Sequence, residues 1–473
     1  MRKTLLLIFV LGLAGCEPEP AGTAITNVTV IDAVNGVREN QTVLFDGDEI
    51  TAIHSASIDT SAARSIDGEG KYLIPGLWDF HVHLTYDDRF TESMPAIFLY
   101  YGITSIRDTG GLMRKMLPVV EKLRANNAIA PRLFFAGPLL DGNFVVYDGQ
   151  SRSEIGVQNA TPEKARARIR QLKNLGVDFI KIYEMVRPDI FEAMVETANE
   201  FQLPIDSHVP LSMRASVAGP LVDSIEHLRN IEMDCAENAP ELHEIRLEKL
   251  KNPGGMSGFD LRSSLHELQR LPAITNYDGE RCDRTLEALK STIQVPTLRL
   301  LSMGLMPPYF RDDWNDALTL LPVNVSESWR EAAVNQMSNG RSEVDTTFAE
   351  WGLFLTGRAH AAAVPIGAGT DTPIGLAIPG YSLHTELEFL VRAGLSPIEA
   401  LQSATIRPAE YFSLQDEIGT VDIGKKADLV LLDANPLEDI ANTRSINTIV
   451  SRGRVLSRDN LSNLIVSGQE TLQ

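Results

Sequence analysis

Ile74-Pro75-Gly76-Leu77-Trp78-Asp79-Phe80-His81-Val82-His83 is the stretch on which the reading of this chain turns. Pro75-Gly76 punctuates the backbone, and the apolar run that follows has the length of a buried strand. Side chains alternate across a strand, so His81 and His83 point the same way. Two neutral imidazoles converging from one rigid element are half of a metal site. Taken alone, the pair reads equally well as two hydrogen-bonded histidines of a core.

Outward from this run, apolar strand-like segments alternate with helical stretches, the pattern of a parallel α/β fold. The candidate strands are Leu77–His83, Ile103–Thr109, Arg132–Ala136, Asp178–Tyr183, Pro204–His208, Asp223–His227, Ile293–Leu298 and Pro365–Thr370. Eight such units predict a (β/α)8 TIM barrel over residues 75–413, with its site at the carboxyl ends of the strands. Met233–Arg281 and Leu300–Thr346 are long, partly helical insertions around the seventh strand, a size expected of a lid or a mobile loop. Short alternating strands occur before the barrel (Ile25–Ile31, Thr42–Phe45, Ile50–Ile53) and return after it (Ala427–Asp433, Thr448–Val455). Residues 24–74 and 414–465 are therefore expected to combine into one small β-sandwich domain.

The chain has 473 residues and a formal net charge of -20, with no compensating basic cluster. Such a surface repels phosphate backbones and excludes nucleic acid as a partner class. Met1-Arg2-Lys3 followed by a short apolar core predicts a secretory signal over residues 1–15. Leu13-Ala14-Gly15-Cys16 resembles a bacterial lipobox, which implies a lipid on Cys16 and an exported, membrane-anchored, periplasm-facing protein, with residues 16–23 as tether. Plain secretion is the alternative. Of the remaining cysteines, Cys235 and Cys282 either pair in an oxidising compartment or stay separately buried.

The strand ends carry an ordered set of polar groups: His81 and His83 on the first, Lys181 in the fourth, His208 ending the fifth, His227 the sixth, and Asp371 after the eighth. Each has a bland alternative, Lys181 as a buried ion pair and Asp371 as a turn cap. Their common placement at one face of one barrel favours a shared ligand.

With Tyr101-Gly102-Ile103-Thr104, Gly367-Ala368-Gly369-Thr370-Asp371 and Gly419-Thr420-Val421-Asp422-Ile423-Gly424-Lys425-Lys426-Ala427-Asp428 added, the chain resembles the amidohydrolase superfamily, nearest its imidazolonepropionase-like and Xaa-Pro dipeptidase branch. The resemblance implies two divalent metals, with zinc the first expectation, bridged by Lys181 carboxylated by CO2. His81, His83 and Asp371 would hold one ion, His208 and His227 the other. A hydroxide shared by the ions would attack an amide carbonyl, with Asp371 as general base then acid. Tyr183 lies on the strand face of Lys181, and its phenol is a candidate donor to the oxyanion. The expected substrate is a small molecule, a dipeptide or N-acyl amino acid, whose carboxylate would meet Arg229 or Arg299. His384 is expected to make a structural hydrogen bond. The same site acting on a lactone or phosphotriester is the second reading, and a non-catalytic barrel scaffold the third. Imidazolonepropionase itself is disfavoured, because Lys181 argues for two metals and an exported lipoprotein is an odd place for histidine breakdown. Oligomeric state stays open.

Overall fold

The computed structural model describes residues 22–55, 62–150 and 152–470; the expected signal segment and Cys16 lie outside the described residues. Seven barrel strands run parallel in chain order: Leu77–Val82, Ile103–Asp108, Arg132–Phe135, Ile180–Ile182, Ile205–Ser207, Ser224–Glu226 and Ile293–Val295. The third bends after Phe135, and its continuation Leu139–Asp141 pairs with the fourth. The eighth position is filled by the Pro365–Thr370 segment, which makes one parallel bridge, Gln294 with Ile366, instead of a regular strand. The Phe80 N–H donates to the Ala368 carbonyl at 3.0 Å and closes the ring.

Glycine explains how the eighth segment fits. A Cβ on Gly369 would lie 2.7 Å from the Cβ of His81 and 2.8 Å from a methyl of Val295. The bare backbone can therefore slide against the first and seventh strands. Thr370 then donates its N–H and hydroxyl to Asp79, at 3.0 and 2.6 Å, which locks the two strands in register.

The outer helices obey local rules. Pro162–Asn174 starts on Thr161, whose hydroxyl accepts from the Lys164 N–H, with proline in the first turn where it forfeits no bond. It buries Ala165, Ile169 and Leu172, one stripe of a helix.

The flanking segments build one eight-stranded mixed sheet: Tyr72–Pro75 pairs antiparallel with Leu429–Leu432, so both ends of the chain meet. Alternation divides its faces. Leu73, Leu429, Leu431 and Val450 enter the small domain's own core, while Ile74, Val430, Leu432 and Ile449 pack on the barrel.

The insertions are ordered helices, Ala239–Lys251, Gly258–Thr275, Gly279–Ala288 and Val323–Asn339, the last followed by Glu343–Ala361. Cys235 and Cys282 form a disulfide that ties the loop after the sixth strand to the third of these helices. Among the described residues no helix is long and apolar enough to cross a membrane.

Candidate metal centre

The carboxyl ends of the barrel strands and the insertions enclose a cavity of about 470 Å³. His81, His83, Lys181, Tyr183, His208, His227 and Asp371 all line it, together with Arg229. The sequence reading thus converges on one place. Ligand atoms of His81, His227 and Asp371 lie within 4.8 Å of one another, all buried. His83 Nε2 is 3.2 Å from Asp371 Oδ1, and His81 Nε2 is 3.3 Å from the same oxygen. His227, expected with His208 alone, stands beside Asp371 as well, at 4.0 Å.

The outer nitrogen of each ring is already committed. His81 Nδ1 donates to Glu226, His83 Nδ1 to the Gly110 carbonyl at 3.1 Å, and His208 Nδ1 to Glu184 at 2.9 Å. The Thr297 hydroxyl donates to the Pro296 carbonyl, so at 2.7 Å it accepts from His227 Nδ1. In the neutral form, rings held this way turn the Nε2 lone pair to the cavity. Asp371 Oδ1 is buried and accepts no hydrogen bond. Lone pairs and a carboxylate oxygen without a donor converge, and a divalent cation is the group that satisfies them.

Electrostatics agree with the donor set. Burial, then the Lys181 cation, lowers the His208 imidazole to about 3, and burial holds His227 well below its ordinary value. Both rings are neutral, as coordination requires. Burial would lower His81 too, but the Glu226 and Asp371 carboxylates raise it to about 9, so a proton stands there until a cation displaces it. Burial would raise Asp371, yet the surrounding imidazoles hold its carboxyl well below the usual range. His227 and Asp371 both adopt left-handed backbone, φ 61° and 60°, the strain of residues aimed by their surroundings.

Lys181 Nζ donates to Asp206 at 2.8 Å at the bottom of the cavity. Arg107 spans the adjacent groups, donating to the Phe80 carbonyl (2.6 Å), Ser224 Oγ (2.9 Å) and Glu226 Oε1 (2.6 Å), with its guanidinium over the Phe80 ring. Behind His208, Glu184 accepts from Arg262 at 3.0 and 3.2 Å and from His266 Nε2 at 2.6 Å. These supporting residues escaped the sequence reading. Their one legible sign was charge inside apolar strands, as with Arg107 in Ile103–Asp108 and Glu226 just before His227. The partners Arg262 and His266 come from an insertion helix, four residues apart on one face.

Two expectations resolve plainly. Arg299 is buried and spends its guanidinium on the carbonyls of Ile374 and Gly375, so it is not a substrate carboxylate's partner. His384 bonds Thr443 Oγ1 at 2.8 Å and donates to the Tyr101 carbonyl at 3.0 Å, a structural role as expected.

The Amidohydrolase family model matches residues 352–456. The matched stretch contains Asp371 and the returning strands of the small domain. Among curated relatives, an imidazolonepropionase of Shouchella clausii is 22% identical over 94% of this chain and 91% of its own length. An adenine deaminase of Ligilactobacillus salivarius is 29% identical over 37% of this chain; the matched part spans 30% of that protein. Among solved structures, a Xaa-Pro dipeptidase with bound methionine in its active site superposes with a TM-score of 0.66 at 19% identity, covering 92% of this chain and 100% of that one.

Proposed function

We propose that this chain is a metal-dependent amidohydrolase that cleaves the amide bond of a dipeptide or N-acyl amino acid. The observation that carries the reading is the convergence of the His81 and His83 Nε2 atoms on Asp371 Oδ1, a buried oxygen that accepts no hydrogen bond among the described residues. His81, His83 and Asp371 would hold one divalent ion, zinc first, and His208 with His227 a second. Ions bound there supply a Lewis acid and lower the pKa of a water toward neutrality.

The protein's own groups do the rest. Asp371, ionised and beside the ligand nitrogens, takes the proton of the attacking water and delivers it to the departing nitrogen. Burial raises the Tyr183 phenol well above its ordinary value, so it stays protonated and can donate to the developing oxyanion. Arg229, two residues past His227, lines the same cavity and offers its guanidinium to a substrate carboxylate. Lys181 lies among these groups; carboxylation by CO2 would turn its amine into a bridging ligand, with release from Asp206 as the structural consequence.

Export is part of the proposal: a lipid on Cys16 would anchor the mature chain. The Cys235–Cys282 disulfide supports an oxidising compartment. The likeness to a Xaa-Pro dipeptidase fold and to an imidazolonepropionase sequence supports amide chemistry without selecting the substrate.

The test is elemental analysis of reconstituted protein beside assays on dipeptide, N-acyl amino acid and lactone panels. Bound divalent metal with amide turnover is expected. Metal with lactone turnover alone would move the reading to ester-type bonds, and protein that binds no metal would reduce the barrel to a scaffold.

A further inference from the structure

The charges that line the cavity are unequal in number and in compensation. Apart from the metal-ligand set, four guanidiniums face it, from Arg229, Arg262, Arg270 and Arg341. Arg262 is matched by Glu184 through two hydrogen bonds, and Arg270 by Glu232 at 2.8 Å. Among the described residues Arg229 makes no hydrogen bond and shares Glu184 at 3.6 Å. Arg341 has no carboxylate partner among the described residues: its Nη1 donates to the carbonyls of Leu305 and Gly304. The one further carboxylate in the lining, Asp345, is turned into its own helix start, accepting from the Ser342 N–H and hydroxyl.

The cavity therefore carries surplus positive charge in two places, beside the metal ligands at Arg229 and at the exposed Arg341 of the second insertion. Among the described lining residues Asp371 and Asp345 are the only carboxylates, one set among the ligand imidazoles and the other bonded at its helix start. Amid a net charge of -20 this is a local inversion of sign, and such a lining selects ligands of opposite charge.

Resting on the amide-hydrolase reading above, we infer that the substrate is an amino acid whose nitrogen is acylated by a group bearing a second anion, its carboxylates meeting Arg229 and Arg341. An N-succinyl amino acid is the simplest example. A dipeptide with a free ammonium is disfavoured at the same cavity, because its cation would find guanidiniums instead of an acceptor. Arg341 is then a specificity residue: it touches the far end of the acyl group and has no part in bond breaking.

Full-length protein with its metals restored is assayed on N-succinyl, N-acetyl and N-glycyl derivatives of L-leucine, L-proline and L-phenylalanine. Binding of the succinyl and acetyl derivatives is also titrated calorimetrically on Asp371→Asn protein, where turnover is suppressed. The succinyl compounds are expected to lead the acetyl ones by about tenfold in kcat/KM and in affinity, the range of one charge-assisted contact, with glycyl compounds last. The lead should shrink as salt is added. Arg341→Ala should remove most of it through KM and the binding constant while moving the acetyl compounds far less, and Arg341→Lys should keep part. Because Arg341 is exposed, Arg341→Gln and the salt series give the same readout should the alanine variant misfold. Equal binding of succinyl and acetyl compounds, or preference for the glycyl dipeptides, overturns the proposal. Tighter succinyl binding without hydrolysis of any compound would leave this charge assignment standing and overturn the hydrolase reading instead.

Discussion

In the proposed mechanism Asp371 is the residue on which ligation and proton transfer meet. Asp371→Asn keeps its volume but loses the anion that the His81 and His83 rings face, so turnover should fall by about 10²- to 10⁴-fold with part of the bound metal lost. Turnover measured per mole of bound metal separates the two effects. Glu184 makes a contrasting case, since it stands behind His208 and does not line the cavity. Burial would raise its carboxyl, but Arg262 and His266 hold it well below its ordinary value. A depressed folded pKa adds stability that is fully present above the unfolded value, about 4.3, and is lost as pH falls through the folded one. Glu184→Gln should therefore cost roughly 3 kcal/mol or more at pH 7, since it strands buried cations, and the deficit should shrink toward pH 3. Denaturant midpoints of both proteins at the two pH values check the sign. At this scale the candidate ligands were readable, because imidazoles at strand ends are rare and chemically specific. Their supports were not, because Glu226, Glu184 and Arg107 acquire meaning only through partners more than 20 residues away.

Among the elements, the eighth segment shows where periodicity stops being informative. Its sequence promises a strand, yet Gly367 and Gly369 let it run too close to its neighbours for regular pairing, and only Ile366 bridges. Gly369→Ala forces a methyl against the Cβ of His81, so a loss of about 1–3 kcal/mol is expected together with reduced metal content. Thermal midpoint and metal analysis would register both, and an unchanged pair would refute the close-packing account. The helix Glu343–Ala361 opens with a capping box, Ser342 and Asp345, next to Arg341. Ser342→Ala should cost about 1 kcal/mol and speed hydrogen exchange in the first turn of that helix. Loops of the insertions' length suggest mobility from sequence alone. Their order comes from tertiary pairing: Arg262 and His266 on Glu184, and the disulfide at Cys282.

For the whole molecule, the disulfide closes a loop of 47 residues, which chain entropy rates at about 4 kcal/mol. The double variant Cys235→Ser, Cys282→Ser should lower the thermal midpoint, and the cavity's metal ligands should persist because they sit on the barrel and not on the tethered insertion. Loss of metal along with stability would show that the insertion holds the centre together. The sequence by itself determined the barrel, the joining of its two β flanks and the candidate ligand residues that meet in one cavity, since alternation, strand spacing and imidazole chemistry are local properties that a linear text preserves. The tertiary structure alone decided that His227 stands beside Asp371, that Arg299 is spent on backbone carbonyls, that Cys235 reaches Cys282, and which guanidiniums remain uncompensated. Each of these is a distance between residues far apart along the chain, and charge compensation in a cavity depends on such distances.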